Sequence, residues 1–330
     1  MRIALRTEGN HRMGMGDLMG SLALAEAFAR DGDETLLVFS PSREAEAAVR
    51  AAGYPFQCVD SDDAACVALE RFQPDVIVVN KLQTPASSIR SFKALARLVV
   101  TLDDAGEGGQ AADLRVNVLY HAAGAVTDPA FIALRPEFQA AHGLARIVRE
   151  PVRELLIVQG GSDTYGFTPR IIAMLAGLRI RPHATVVLGA AFRHEAALRL
   201  AVQESPLDLT VIRNAPRMAE LMLAADLAIT AGGLTMFELA CVGTPSLIVC
   251  AERFEVETAG RLEAAGAVEC LGFGEDVAEA RLRPAVETLA GDLQRRQRMS
   301  ACGMRLVDGR GCLRIVQLVK QALVTAGSAR

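Results

Sequence analysis

The feature that most constrains this chain is an alternation, repeated in both halves, of short β-branched runs with longer Ala/Leu-rich segments of helical period. Residues 2–6, 35–39, 76–79, 98–102 and 115–118 read as strands in the first half. Between them, 18–30 places Leu18, Leu22, Ala25 and Ala29 at helical spacing, and 43–52 and 64–72 are similar. In the second half, 154–158, 185–188, 209–212, 227–230 and 246–249 read as buried strands, with helices after Thr168, Arg193, Pro216, Leu234 and Val256. Parallel strands need a crossover between them, and a helix is the usual one, so this rhythm implies parallel sheets covered by helices on both faces. The expected fold class is α/β, built as two doubly wound halves.

A chain of 330 residues accommodates about two domains of ordinary size. The charged stretch 145–151 ends in a proline that disfavours helix in the residue before it, which places the division at 1–148 and 149–330. Beyond Arg281 the chain reads as charged helix until Asp308-Gly-Arg-Gly311 interrupts it. A last amphipathic helix, from Cys312 to about Val324, is placed to pack back onto the first domain.

Charge narrows the partners. With 35 Lys+Arg against 39 Asp+Glu and no basic run, nothing in the chain attracts a phosphodiester backbone, so nucleic acid is not expected. Seven scattered cysteines without a C-x-x-C pair read as reduced thiols, and five histidines without H-x-x-x-H give no metal site; no cofactor is expected. The N-terminus turns polar after five residues, and the apolar stretch 224–251 is broken by Asp226, Gly232-Gly233, Glu238, Gly243 and Pro245. A cytoplasmic protein without a membrane span is expected, peripheral membrane contact and oligomeric state being left open.

Three glycine-bearing loops follow strands. The first carries Arg6, His11, Gly14 and Gly16, with Asp17 at or near a helix N-cap; its glycines let backbone approach a ligand, and the helix N-terminus offers unpaired N–H groups. The third glycine of the dinucleotide fingerprint is missing, so NAD is not favoured. Asp17 has a plain role as a helix cap worth about 1 kcal/mol, and His11 reads either as a solvated loop residue or as a base or phosphate contact. The second loop is Gly160-Gly161-Ser162-Asp163, followed by Thr168-Pro169 as a candidate N-cap and first helical residue. The third is Gly232-Gly233, opening a helix through Thr235 and Glu238. Paired glycines make tight turns, but two pairs in equivalent places point to a ligand, with a diphosphate on the N–H groups of the second pair and Glu238 on a ribose diol.

Arg6…Gly14-Met-Gly-Asp-Leu-Met19, Leu102-Asp-Asp104, Gly160-Gly-Ser-Asp163, the 218–229 run, Ala231-Gly-Gly-x-Thr-x-x-Glu238 and Asp308-Gly-x-Gly311 occur in order. Over nearly the whole chain this pattern resembles the UDP-2,4-diacetamido-2,4,6-trideoxy-β-L-altropyranose hydrolases of pseudaminic acid biosynthesis. That family is similar to the peptidoglycan N-acetylglucosaminyltransferase and to spore-coat polysaccharide proteins. The resemblance implies a GT-B architecture of two Rossmann-like domains facing a cleft and a UDP-sugar or other nucleotide-diphosphate sugar as ligand. It further implies inverting C–O cleavage at the anomeric carbon, in nonulosonic acid or surface-glycan synthesis such as flagellin glycosylation. Carried over position by position, it makes Asp17, at the family's histidine position, a catalytic candidate, beside His11, which the loop itself offers. The nucleotide-sugar contacts become Arg6, Gly14, Gly16, Gly161, Ser162, Asp163, Asn214, Gly232, Gly233, Thr235, Glu238 and Glu255.

The chain departs from those hydrolases where their first loop carries histidine and arginine: it has Asp17 and Gly20. It also reads Glu252-Arg-Phe-Glu255 where the family shows Asn-Gln. A carboxylate is a competent base for inverting attack provided burial or a second carboxylate lifts its pKa towards neutrality. Two alternatives to hydrolysis follow: a GT-B glycosyltransferase with a sugar, lipid or protein acceptor, and a nucleotide-sugar-binding protein without turnover.

Overall fold

A computed structural model describes residues 1–144 and 146–328; Ala145, inside the expected interdomain stretch, and Ala329 and Arg330 lie outside the described residues. The chain divides into two compact units, Met1–Arg135 with Arg310–Arg330, and Pro136–Gly309.

The first unit holds β1 (Arg2–Thr7), β2 (Glu34–Phe39), β3 (Phe56–Cys58), β4 (Val76–Asn80), β5 (Leu98–Leu102) and β6 (Leu114–Val116). They form one sheet in the order β3-β2-β1-β4-β5-β6, and every pair is parallel. The four long runs are buried on both faces, which explains their unbroken Val/Ile/Leu character. The chain winds outward one way through β2 and β3 and the other way through β4 to β6, so the switch point lies between the carboxyl ends of β1 and β4.

The second unit repeats this design with β7 (Glu154–Val158), β8 (His183–Leu188), β9 (Asp208–Arg213), β10 (Leu227–Thr230), β11 (Ser246–Cys250) and β12 (Glu269–Phe273). Its order, β12-β11-β10-β7-β8-β9, is again wholly parallel and puts the switch point between β7 and β10. Among the described residues, ten of the twelve strands are those expected from sequence, but β9, expected to be buried, is an edge strand and largely exposed. The two others, β3 and β12, are edge strands: β3 has three residues and is largely exposed, and β12 carries Gly272 at φ +91°.

The segment 136–148, assigned to the first domain by sequence, belongs to the second unit up to its described residues. The helix Pro136–His142 buries Phe138 and Ala141. Glu137 accepts from the Ala219 N–H at 3.3 Å, Cys241 Sγ donates to the Phe138 carbonyl at 3.5 Å, and His142 Nδ1 donates to the Cys241 carbonyl at 2.8 Å. An apolar face on a seven-residue helix decided the division, where a charged stretch and a proline had suggested a later one. The last helix, Gly311–Ser328, lies in the first unit: Cys312 Sγ donates to the Leu134 carbonyl, Arg314 to that of Ala130, and Lys320 pairs with Asp31 and Asp33. Gly311 is required for that approach, since a Cβ there would stand 1.9 Å from the Ile132 carbonyl oxygen. Among the described residues no helix is long and apolar enough to cross a membrane.

Candidate functional site

Open α/β sheets bind ligands at the carboxyl ends of their strands beside the switch point, and both units place their glycine loops there. In the first unit, the loop after β1 closes on itself. The Asn10 N–H donates to the Gly14 carbonyl at 2.9 Å, and Asn10 Oδ1 accepts from the Arg12 and Met13 N–H groups at 2.8 and 3.0 Å, an Asx turn with Gly14 in the left-handed region. His11 lies within this turn. The helix Gly16–Arg30 then begins with Met15 as N-cap and no side-chain cap bond, so Asp17 is a first-turn residue and its side chain is not the cap.

The end of β4 fixes that turn. Asn80 Nδ2 donates to the Asp17 carbonyl and to Ser21 Oγ. Burial drives the Asp17 carboxyl well above the usual carboxylate range, and the neighbouring charges of Asp103, Glu8 and Asp104 raise it further; one hydrogen bond from the Leu82 backbone opposes them. Asp103 and Asp104 come from the loop after β5. Asp103, at φ +47°, accepts from the Leu119 N–H at 2.6 Å, and Asp104, 1% exposed, accepts from Gly106 at 2.7 Å and Thr84 at 3.3 Å. Asp104 Oδ2 is buried and has no hydrogen-bond partner among the described residues.

Arg6 is engaged elsewhere. Its buried guanidinium donates to Asp62 at 2.9 Å, to the Thr7 carbonyl and to Ser40 Oγ, and Lys81 Nζ approaches the same Asp62 carboxylate at 3.2 Å. Burial raises the Asp62 carboxyl, but Lys81 and Arg6 outweigh it and hold the group below its ordinary value. The Arg6 guanidinium is thus paired inside the unit.

In the second unit, Asp163 caps a helix. Its two oxygens accept from the Phe167 and Thr168 N–H groups at 2.7 and 2.9 Å, its φ is +42°, and it is 6% exposed. The helix Phe167–Met174 starts at Gly166, which corrects the expectation that Thr168 is its N-cap. Ser162 Oγ is hydrogen-bonded to Thr164 Oγ1 at 2.9 Å. The Gly161 carbonyl accepts from the Ala191 N–H, and a Cβ on Gly189 would stand 2.3 Å from that carbonyl oxygen, so this glycine pair serves loop packing. Asn214, exposed at φ +50°, follows β9 and donates its N–H to the Leu188 carbonyl.

Across the switch point, Gly232 and Gly233 join β10 to the helix Leu234–Cys241, with Thr235 in its first turn and Glu238 three residues on, on the same face. Glu255, opening the helix Glu255–Ala264, folds back: its Oε2 accepts from the Gly232, Ala251 and Glu252 N–H groups at 3.2, 2.7 and 3.2 Å. The expected diphosphate donor Gly232 therefore already holds a carboxylate. Burial pushes the Glu255 carboxyl up to about 7, against the pull of those three donors.

Asn80, Asp103 and Asp104 were not singled out by sequence as site residues. Their signal is a polar residue directly after an apolar strand run, Val76–Asn80 ending in Asn and Leu98–Leu102 followed by two aspartates.

No family model matches the chain. It is 24% identical over 338 residues to the spore coat polysaccharide biosynthesis protein SpsG of Bacillus subtilis strain 168, covering 97% of this chain and 98% of that one. It is 27% identical over 269 residues to an uncharacterized protein, MJ1062, of Methanocaldococcus jannaschii, covering 76% of this chain and 55% of the other. Among solved structures, MurG of Acinetobacter baumannii superposes with a TM-score of 0.70 at 16% identity, covering 97% and 99% of the two chains. The glycosyltransferase VinC, solved in complex with dTDP, superposes with a TM-score of 0.62 at 13% identity over 99% and 100%. The two six-stranded parallel sheets are those of the GT-B fold.

Proposed function

We propose that this chain is a nucleotide-sugar enzyme that breaks the anomeric C–O bond with inversion, using Asp17 as general base. The observation that carries the reading is the Asp17 carboxyl: half-buried beside the first switch point and raised by desolvation and by Asp103, Glu8 and Asp104. An ordinary carboxylate is a poor base near neutral pH, a raised one is a stronger base, and general base catalysis of this kind supplies about 10²–10⁴ in rate. In the reaction, Asp17 takes a proton from water while the water oxygen bonds to the anomeric carbon, and the C–O electron pair leaves with the diphosphate on the opposite side of the ring. The leaving charge calls for cationic or N–H stabilisation, and the resemblance assigns Glu238 to the ribose hydroxyls.

The resemblance to pseudaminic acid pathway hydrolases supports water as nucleophile and a UDP-sugar as substrate, in a surface-glycan or nonulosonic acid pathway. The fold of the neighbouring glycosyltransferase structures supports a second reading, in which a sugar, lipid or protein hydroxyl replaces water at the same base. Phosphorus NMR of the protein with UDP-, GDP-, dTDP- and CMP-sugars and no added acceptor separates the readings. Free nucleotide released into water supports hydrolysis. Bound but uncleaved nucleotide-sugar that turns over only on addition of an acceptor supports transfer, and binding without turnover under either condition overturns both in favour of a binding protein.

A further inference from the structure

Three backbone N–H groups converge on one oxygen in the second unit. Gly232 donates from the loop after β10, and Ala251 and Glu252 donate from the loop after β11, the neighbouring strand; all three reach Glu255 Oε2. Oriented N–H groups at the ends of parallel strands, one of them leading into a helix, form a concavity suited to an anionic oxygen. The fit to the side chain is close: a Cβ on Gly232 would stand 2.7 Å from Glu255 Cβ and 3.1 Å from its Oε2, and one on Gly233 would stand 3.6 Å from Oε1. Gly232 is therefore shaped around the acid group, and Gly233 lies in ordinary contact with it.

We propose that the Gly232, Ala251 and Glu252 N–H groups are a cradle for a phosphoryl oxygen, occupied in the free protein by the chain's own Glu255 carboxylate, which must give up this seat before a diphosphate enters. The proposal rests on the nucleotide-sugar reading above. It assigns Glu255 the setting of the charge state in which the second unit takes its ligand, and not a direct contact to the sugar.

The surroundings decide the direction of the effect. Burial raises the Glu255 carboxyl to about 7, and Glu252 adds to it. Glu252 Oε1 accepts from the Tyr165 hydroxyl at 2.6 Å, and that hydroxyl is pushed up to about 12, first by this bond. On β11 the Cys250 thiol, Sγ 3.2 Å from the Cβ position of Gly232, is raised by its hydrogen bond with Cys270 on β12, by burial and by Glu255. Glu275 lies farther out and acts on Tyr165. Below about 7 Glu255 is neutral, releases the donors readily and does not repel a diphosphate; above it, the carboxylate holds the cradle. Affinity for a diphosphate is thus expected to rise as pH falls.

The test is calorimetric titration of the full chain with UDP-glucose, dTDP-glucose and GDP-mannose between about pH 6 and about pH 8.5, a range over which a diphosphate diester keeps its charge. Wild-type affinity is expected to weaken by up to about tenfold per pH unit above about 7. The isosteric, uncharged Glu255→Gln is expected to bind at about pH 8 at least as tightly as wild type at about pH 6, with no pH dependence between. A wild-type affinity that is flat with pH overturns the proposal. So does a Glu255→Gln protein of unchanged melting temperature that binds more weakly at every pH. The wild-type series needs no variant, so it decides the matter even where Glu255→Gln fails to fold. If neither protein binds any of the three sugars at any pH, the nucleotide-sugar reading falls, and the cradle falls with it.

Discussion

Asn80, the last residue of β4, donates its side-chain amide to the main-chain carbonyl of Asp17 at 2.8 Å and to Ser21 Oγ at 3.1 Å, so one buried side chain sets the turn that presents the Asp17 carboxyl. The last residue of β4 is thereby tied across the switch point to the first turn of the helix that follows β1.

Asn80→Ala removes both donations and leaves a buried carbonyl and hydroxyl short of a donor. Urea denaturation is expected to show a loss of about 1–3 kcal/mol. Because the lost contact orients the first helical turn, kcat is expected to fall while KM changes little; an equal effect on both would place Asn80 at the ligand.

Asp17 carries a stability cost with a definite pH signature. Its folded pKa is raised above the unfolded value, so the folded state is penalised as pH rises from the ordinary carboxylate range through the raised value, and the penalty vanishes below about pH 4, where both states are protonated. Asp17→Asn is expected to melt at a higher temperature than wild type at neutral pH and at the same temperature near pH 4. Thermal melts of the two proteins across pH check this; a variant less stable at neutral pH would show that the carboxylate is stabilised where it sits.

Gly311 lets the last helix dock in the first unit. Gly311→Ala puts a methyl 1.9 Å from the Ile132 carbonyl oxygen, a backbone atom that cannot rotate away. A loss of about 3 kcal/mol or more is expected by denaturant unfolding, at or beyond the upper end of ordinary overpacking. An exposed Gly291→Ala, where nothing stands within 4 Å of the new Cβ, serves as the control.

The fold was legible because its signal is periodic: most of the ten readable strands are buried on both faces and announce themselves as Val/Ile/Leu runs, while β6 and the largely exposed β9 keep the alternation of strand and helix. Two of the four edge strands were not legible: β3 is a short, largely exposed run of three residues, and β12 interrupts its pattern with Gly272. Nor was the extent of the second unit, which depends on Phe138 and Ala141 finding a partner far along the chain. At the site, residue types and strand-end positions named Asp17 and Gly232, and the family resemblance added Glu255. Burial and pairing decided what each does, and neither is local. Asp163, expected at the ligand, accepts from the Phe167 and Thr168 N–H groups, and Arg6, expected at the nucleotide-sugar, donates to Asp62. Asp103 and Asp104, which lift the Asp17 carboxyl, lie more than eighty residues from it in sequence.

The most direct test of the account is turnover of the best nucleotide-sugar by wild type and Asp17→Asn, followed by phosphorus NMR under saturating substrate. The account predicts a fall in kcat of about 10²–10⁴ with nucleotide binding retained, and a wild-type rate that climbs with pH along a single acid limb as Asp17 gives up its proton. A variant that turns over at the wild-type rate would contradict it, and would move the base to another residue.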